Sequence, residues 1–296
     1  FTVEMLTIPL KEKRSQSFFN KLFMGSTQIN TEIPILSYSI LKEELEYIGY
    51  GDGLPKTISL AVLNITPKKY ITKKTFYFGT DKYGRDLLSR LLIGTRISFF
   101  IGFIAVFISL FIGIGIGAIA GYYGGKIDAL IMWIINITWS IPTLLLVIAI
   151  TLALGKGYWQ VFIAVGLTMW VEVARVVRGQ FLTTKQQQYV EAAKALGYSN
   201  FRIIFRHILP NILAPIIVIS AANFAAAILI ESGLSFLGIG AQPPTPSWGA
   251  IIKNHYNYII LGKPYLAVIP GLAIMSLVMA FMLIGNALRD ALDVKN

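Results

Sequence analysis

Cysteine is absent from this sequence of 296 residues, and histidine occurs only twice. The missing thiols exclude disulfides and thiolate metal sites, and the two isolated histidines, His207 and His255, lack the spacing of a metal site. A Gly-x-x-x-x-Gly-Lys-Ser/Thr phosphate loop is also lacking, because residues 155–157 have neither its spacing nor its hydroxyl. No serine can be assigned a nearby base from the sequence. We therefore expect a chain that is not an enzyme and has no metal or cofactor of its own.

Charged residues are scarce, at 14% of the chain, whereas 55% of the residues are hydrophobic. This composition is typical of a protein with several membrane spans. The net charge of +11 does not require a nucleic-acid partner, because basic residues that orient spans and meet lipid phosphates give the same excess. The composition predicts an all-α polytopic membrane protein.

Apolar runs long enough to cross a bilayer, which takes roughly 20 residues in a helix, occur at residues 97–123, 129–155, 157–177, 212–230 and 264–288. Gly113, Gly117 and Gly121 recur every four residues in the first run. This spacing allows close helix packing, and it also arises by chance in a glycine-rich span. Pro142 falls inside the second run and predicts a kink there.

A polar break at residues 186–211 separates the third run from the fourth and predicts a helical hairpin. Gly197 favours a helix stop, and Ser199 or Asn200 is suited to cap the next helix. Pro210 is expected to end that helix. Its helical spacing gives one apolar and one basic face, formed by Phe201, Ile204, Phe205 and Ile208 and by Arg202 and Arg206. Such a hairpin either lies on lipid headgroups or docks into a partner.

The charges around the hairpin predict its side of the membrane. Residues 175–206 contain six basic residues and one acid, which indicates the cytoplasmic side. Alternation then places the C-terminus inside and residues 1–96 outside, because long segments escape the charge rule. A long outside segment needs a preceding span to start its translocation, so we expect one further N-terminal helix and six spans in the native protein.

The first 78 residues contain no apolar run of membrane length and are interpreted as a small polar subdomain or long extracytoplasmic loop. Partial alternation at residues 57–63 is compatible with a strand. From Asp86 onward, leucines and basic residues alternate at helical spacing. This pattern predicts an amphipathic helix in the membrane interface before the first span.

Charges near the apolar runs are candidate functional residues. Glu172 precedes Arg175 by three positions, so the two are predicted to form an interfacial ion pair. Glu231 is expected either to meet substrate or to anchor the loop that follows it. Charges within the runs are too few for a proton relay or an ion-coupled carrier.

The hairpin resembles the "EAA" motif of bacterial ABC importer permeases, which couples them to their ATPases. Glu191-Ala192-Ala193, Gly197 and Leu209-Pro210 occupy the motif positions and are followed by Asn211, whereas His207 replaces the usual isoleucine. Further stretches resemble the "C" subunits of the dipeptide, oligopeptide and nickel permeases, namely residues 79–86, 177–180, 234–238, 247–250 and 288–293. The resemblance covers residues 79–296 and leaves residues 1–78 as an apparent insertion.

The resemblance implies a type I ABC importer permease, a helical bundle with five visible spans in the bacterial cytoplasmic membrane. Its function would be ATP-driven import of di- or oligopeptides. The implied partners are two ATPase subunits that bind ATP and magnesium, a second permease subunit of the "B" type, and an extracytoplasmic substrate-binding protein. Import of nickel or another non-peptide solute, a secondary transporter without ATPases, and a membrane anchor whose work is done by residues 1–78 are the alternatives.

The resemblance also assigns roles to residues. Contact with the ATPase is expected from Glu191, Ala192, Ala193, Gly197, Phe201, Ile204, Phe205, Leu209, Pro210 and Asn211. Structural or gating candidates are Asp81, Arg85, Asp86, Gly113, Gly117, Gly121, Glu172, Arg175 and Glu231. The expected domains are an extracytoplasmic region at 1–78 and a transmembrane domain at 79–296 that carries the hairpin.

Overall fold

The protein is described from a computed structural model, which covers residues 2–9, 30–41, 44–49, 54–59, 71–82, 84–155, 157–242 and 245–292. The chain divides into two compact units, Phe1–Ile93 and Gly94–Asn296. Each unit has its own core.

The first unit contains a five-stranded antiparallel sheet with the strand order β4-β3-β2-β1-β5. Its strands are β1 (Thr2–Pro9), β2 (Asn30–Leu41), β3 (Glu44–Gly49), β4 (Lys56–Ser59) and β5 (Ile71–Thr75). The side chains of β3 alternate between the two faces of the sheet. Leu45 and Tyr47 are therefore buried, and the residues that alternate with them are exposed or half-buried. Leu45 and Tyr47 pack with Leu6 and Ile35 in a small apolar core.

The sheet favours the small subdomain over the long loop, the two interpretations of residues 1–78, and adds strands to a chain expected to be all-α. The strand expected at residues 57–63 is confirmed for residues 57–59, which lie in β4. Residues 60–63 lie outside the described residues.

Among the described residues, the longer α-helices are α1 (Leu87–Tyr123), α2 (Gly125–Ser140), α3 (Thr143–Leu154), α4 (Tyr158–Thr184), α5 (Gln188–Ala195), α6 (Leu213–Leu237), α7 (Trp248–His255) and α8 (Tyr265–Leu292). A short turn, Asn200–Arg202, and the segments Ile203–Ile208 and Leu209–Ile212 lead into α6 without a break. By length and apolar composition, α1, α4, the stretch Asn200–Leu237 and α8 are each able to cross a membrane. If α2 and α3 together form one bent span, the described residues contain five spans.

Two of the expected helices differ from their predicted form. The interfacial helix expected from Asp86 is not separate, because α1 runs unbroken from Leu87 to Tyr123 and has no proline to interrupt it. The second span is broken into α2 and α3, which meet at an angle of 89°. Ile141 is extended at the break (φ −89°, ψ 126°), as expected for the residue before Pro142. The predicted kink is thus confirmed and is sharper than a bend within one helix.

Three glycines of α1, Gly113, Gly117 and Gly121, lie against the backbone of α4. A Cβ atom placed on Gly117 would lie 2.6 Å from the carbonyl oxygen of Ala174, and one on Gly113 would lie 2.8 Å from that of Trp170. At Gly121 the corresponding distance is 2.8 Å, to the carbonyl oxygen of Arg178. The predicted close packing is confirmed, because no larger side chain fits between these two helices.

Candidate functional site

The first arm of the hairpin is α5, and its end is fixed by backbone hydrogen bonds. The amide of Gly197 donates to the carbonyl of Lys194 (2.9 Å), and that of Tyr198 donates to the carbonyl of Ala193 (3.2 Å). This pair of bonds is a Schellman motif, which needs a left-handed residue after the helix. Gly197 meets that need with φ +76°, so the predicted helix stop is confirmed.

The second arm begins at the predicted cap. The amide of Arg202 donates to the Ser199 hydroxyl (3.4 Å). The chain then forms a π-helix at Ile203–Ile208 and a 3₁₀ turn at Leu209–Ile212. The arm does not end at Pro210, contrary to the sequence prediction. Because Pro210 lies at the start of the 3₁₀ turn, the changed helical pitch accommodates its missing N–H and the chain continues into α6.

The inner side of the hairpin belongs to the core of the second unit. Its buried residues are Val190, Ala193, Ile203, Ile204, Ile208 and Ile212. They pack against Val173, Val177 and Phe181 of α4. Ile204 was expected on the partner-facing side with Phe201 and is instead 8% exposed, because the π-helix turns it inward. Ala193 is also buried. Contacts with a partner are therefore left to the exposed residues next to Ala193 and Ile204.

The outer side presents apolar groups that contact no core. Leu196 and Phe201 are 71% and 70% exposed, and Phe205 is 52% exposed. The rings of Phe201 and Phe205 lie 4.4 Å apart. We call these three residues the tip patch. Leu196 was not among the residues predicted from the sequence, although an apolar residue in a polar helix stop is itself a sign of an exposed contact.

Other residues of the motif are also exposed. Glu191 and Ala192 are exposed on α5, and Pro210 and Asn211 are exposed at the far end of the second arm, where the Asn211 amide donates to the carbonyl of His207 (2.6 Å). Leu209 is half-buried. His207 stacks on Tyr198 at 5.6 Å, so the departure from the motif is accommodated by ring packing.

Side chains fasten the hairpin and its neighbours to one another. The Tyr122 hydroxyl donates to the Asn200 side chain (2.8 Å), which joins the end of α1 to the second arm. The Lys185 ammonium donates to the carbonyl of Gly121 (2.9 Å). Arg178 of α4 forms a two-pronged ion pair with Asp128 of α2, with the Nη2 to Oδ2 distance at 2.6 Å. The hairpin is thus attached to helices that cross the bundle.

The ion pair predicted between Glu172 and Arg175 is not formed. Arg175 instead donates to the Asn136 side chain (2.6 Å), and its guanidinium lies 3.5 Å from the ring centre of Trp139. Both partners belong to α2, so contacts between helices replace the predicted contact within α4. Glu172 is exposed and lines a cavity of about 160 Å³ at the bend between α2 and α3.

Glu231 is fully buried near the end of α6. Its carboxylate accepts a hydrogen bond from Ser235 (2.6 Å), whose hydroxyl accepts one from the amide of Ala241 (3.2 Å). Ala241 lies in the loop that follows α6. Of the two predicted roles, the structure therefore favours the anchoring of this loop.

The acidic residues before α1 organise a turn in the first unit. Asp81 is buried, accepts bonds from the amide (3.0 Å) and Nε (2.7 Å) of Arg85, and lies 3.4 Å from Nε of Arg90. Asp86 accepts hydrogen bonds from the Leu88 amide (3.2 Å) and the Ser89 hydroxyl. Its carboxylate thereby caps the start of α1. These contacts give Asp81, Arg85 and Asp86 a structural role.

Comparison with known proteins supports one family. The model for "Binding-protein-dependent transport system inner membrane component" matches residues 113–295. The chain is 42% identical over 219 residues to the glutathione transport system permease protein GsiD of Pectobacterium atrosepticum. It is 44% identical over the same length to the dipeptide transport system permease protein DppC of Alkalihalophilus pseudofirmus. Each match covers 74% of this chain and 72% of the relative.

Solved structures share the fold. A chain of the methionine ABC transporter MetNI in an inward facing conformation matches with a TM-score of 0.58 at 19% identity, over 70% of this chain and 97% of that chain. A chain of an amino acid ABC transporter matches with a TM-score of 0.50 at 16% identity, over 69% and 94%. The family model, the two relatives and the shared fold agree: this chain belongs to the family of inner membrane components of binding-protein-dependent transport systems.

Proposed function

We propose that this chain is one of two permease subunits of an ATP-driven peptide importer and that its hairpin docks into an ATPase subunit. The observation that carries the proposal is the tip patch, an apolar surface held out on a hairpin whose other side is buried in the bundle. Apolar residues presented together in this way are typical of protein interfaces. The relatives named for dipeptide and glutathione transport support a peptide substrate.

The proposed orientation follows the charge bias. The excess of basic residues at 175–206 favours a cytoplasmic hairpin and C-terminus and an extracytoplasmic segment at residues 1–96. A cytoplasmic hairpin meets ATPases on the side where ATP is available. The division into an extracytoplasmic region at 1–78 and a transmembrane domain at 79–296 remains part of this proposal.

In this arrangement the ATPases bind ATP and magnesium, and the permease chain needs no cofactor. Closure of two ATPase subunits would move the hairpins of the two permease subunits. The buried inner side and the bond from Tyr122 to Asn200 would pass that movement to α1 and α4. A substrate-binding protein would deliver the peptide on the opposite side of the membrane.

A substitution in the tip patch tests the docking. In the double variant Phe201→Ser/Phe205→Ser, two exposed aromatic contacts of about 2 kcal/mol each are removed, which corresponds to roughly a thousandfold loss of affinity for the ATPase. We expect the ATPase subunits to be lost on affinity purification of the complex and ATP-dependent peptide uptake to be abolished in proteoliposomes.

Leu261→Ser provides the matched control, because Leu261 is 68% exposed and lies outside the hairpin, in the turn between α7 and α8. This variant should retain its ATPase partners. Normal ATPase binding and uptake by the double variant would refute the docking proposal. Uptake of nickel or another non-peptide solute, with no uptake of peptide, would favour the alternative substrate class.

A further inference from the structure

The cavity at the bend between α2 and α3 has polar side chains among a mainly apolar lining. Residues of α2, α3, α4 and α6 line it, among them Thr138, Trp139, Thr143, Thr168, Glu172 and Ile230. Its volume of about 160 Å³ is below the roughly 300–1,000 Å³ of sites that enclose a whole drug-sized ligand. The cavity therefore has room for one end of a larger substrate.

Glu172 brings a carboxylate to this cavity from α4, one of the helices able to cross a membrane. It lies about 21 Å along α4 from Tyr158, at the start of the helix, and about 9 Å before Arg178, at 1.5 Å per residue. Glu172 is exposed and makes no hydrogen bond or ion pair within the part of the chain that the structure describes. The nearby basic residues are engaged elsewhere, Arg175 with α2 and Arg178 with Asp128. An ionisable group within a helix able to span a membrane is a candidate functional group.

Two hydroxyl groups of the cavity, those of Thr138 and Thr168, offer acceptors to a ligand. The Thr138 hydroxyl donates to the carbonyl of Ile134 (3.0 Å), and the Thr168 hydroxyl donates to that of Val165 (2.9 Å). Their protons are therefore committed to the backbone, and only lone pairs remain for a ligand. The Glu172 carboxylate and the lone pairs of these two hydroxyls together match an ammonium group, which carries three donors and no acceptor.

We infer that this cavity is a substrate site on the transport path and that Glu172 binds the free α-ammonium group of the peptide. The inference rests on the proposed function. It does not depend on which peptide is carried, because dipeptides and glutathione both have this group. The peptide terminus enters the cavity, and the rest of the substrate extends through its open side.

The test uses the complete complex in proteoliposomes, with the binding protein, ATP and two dipeptides that carry a diazirine. In photoleucyl-alanine the photoreactive residue is at the amino terminus, and in alanyl-photoleucine it is at the carboxyl terminus. We expect the first dipeptide to label the cavity wall, at Met169, Ala226 or Ile230, and the second to label other positions.

Glu172→Gln should reduce labelling of the cavity by photoleucyl-alanine at least tenfold and should reduce peptide uptake. Glu172→Asp keeps the negative charge and should retain much of the labelling and much of the peptide uptake. Asp290→Asn is the matched control, because it removes an exposed carboxylate in α8 away from the cavity. ATPase activity without substrate and recovery of the assembled complex should be the same in all variants.

The outcomes separate the two proposals. If the wild-type complex takes up peptide and Glu172→Gln labels and transports like wild type, the substrate site is refuted and the importer stands. Labelling of the same cavity residues by both dipeptides also refutes it, because the cavity then does not hold the amino-terminal end of the peptide. If the wild-type complex takes up no peptide, the proposed function fails and the substrate site fails with it.

Discussion

Single residues determine how closely the main helices approach one another. Gly117 is the clearest case, since any Cβ atom there would lie 2.6 Å from a backbone oxygen of α4 that has no freedom to withdraw. Gly115, two residues away on the same helix, has open space around it. Substitution of each glycine by alanine therefore distinguishes the effect of packing on stability from the effect of helix propensity.

We expect Gly117→Ala to destabilise the chain by about 1–3 kcal/mol, the usual range for overpacking. Gly115→Ala should be neutral or stabilising by up to about 1 kcal/mol, since alanine favours a helix. The thermal transition of the purified protein and the fraction recovered as a folded complex measure the effect. Equal transition temperatures for the two variants would contradict the close contact between α1 and α4.

Some residue positions are predictable from the sequence, and others depend on contacts between helices. The glycine stripe follows from spacing alone, because small residues every four positions lie on one helical face. The burial of Ile204 cannot be predicted in this way. The predicted face assumes the pitch of an α-helix, whereas the chain forms a π-helix there. The Glu172–Arg175 pair also failed as a prediction, because Asn136 and Trp139 of another helix hold the arginine.

At the scale of elements, the hairpin owes its shape to one left-handed residue. Gly197 has φ +76°, and a Cβ atom added to it would meet no other atom within 4 Å, so a side chain there would strain the backbone without a clash. An L-residue in this conformation costs about 1–2 kcal/mol. The turn between the two arms thus depends on a glycine for conformational reasons alone.

Gly197→Ala should therefore loosen the hairpin locally. We expect amide hydrogen exchange at residues 197–198 to accelerate by roughly five- to thirtyfold, the ratio that corresponds to 1–2 kcal/mol. Gly271→Ala is the control, because that position in α8 is also free of close neighbours but lacks a positive φ. Unchanged protection at residues 197–198 would show that the left-handed turn is not needed.

Elements differ in how well the sequence predicts them. The apolar runs located the apolar helices, because length and hydropathy decide which helices fit a membrane. Their ends were less well predicted: α1 begins ten residues before its run, and α4 and α6 end seven residues after theirs. The sheet was largely missed, since β1 pairs with β5 across some 70 residues, as in Thr2 with Thr75. Pairing between residues so far apart in the sequence cannot be predicted from local patterns.

At the scale of the whole molecule, the absence of cysteine makes the proposed orientation directly testable. Single variants Tyr77→Cys, Leu261→Cys and Asp290→Cys each place one thiol at an exposed position. In intact spheroplasts, a membrane-impermeant maleimide should label the first two and should label the third only after permeabilisation. The unsubstituted chain is the blank, and the reverse labelling pattern would invert the proposed topology.

The continuous stretch Asn200–Leu237 gives the molecule a mechanical property. Its 38 residues extend for roughly 55 Å at the rise of an α-helix, with Phe201 at one end and the buried Glu231 near the other. No loop interrupts this stretch, so it acts as a strut through the bundle. A displacement of the tip patch would be transmitted to the Glu231–Ser235–Ala241 anchor. In the proposed orientation, the loop held there would shift together with the hairpin on the opposite side of the membrane.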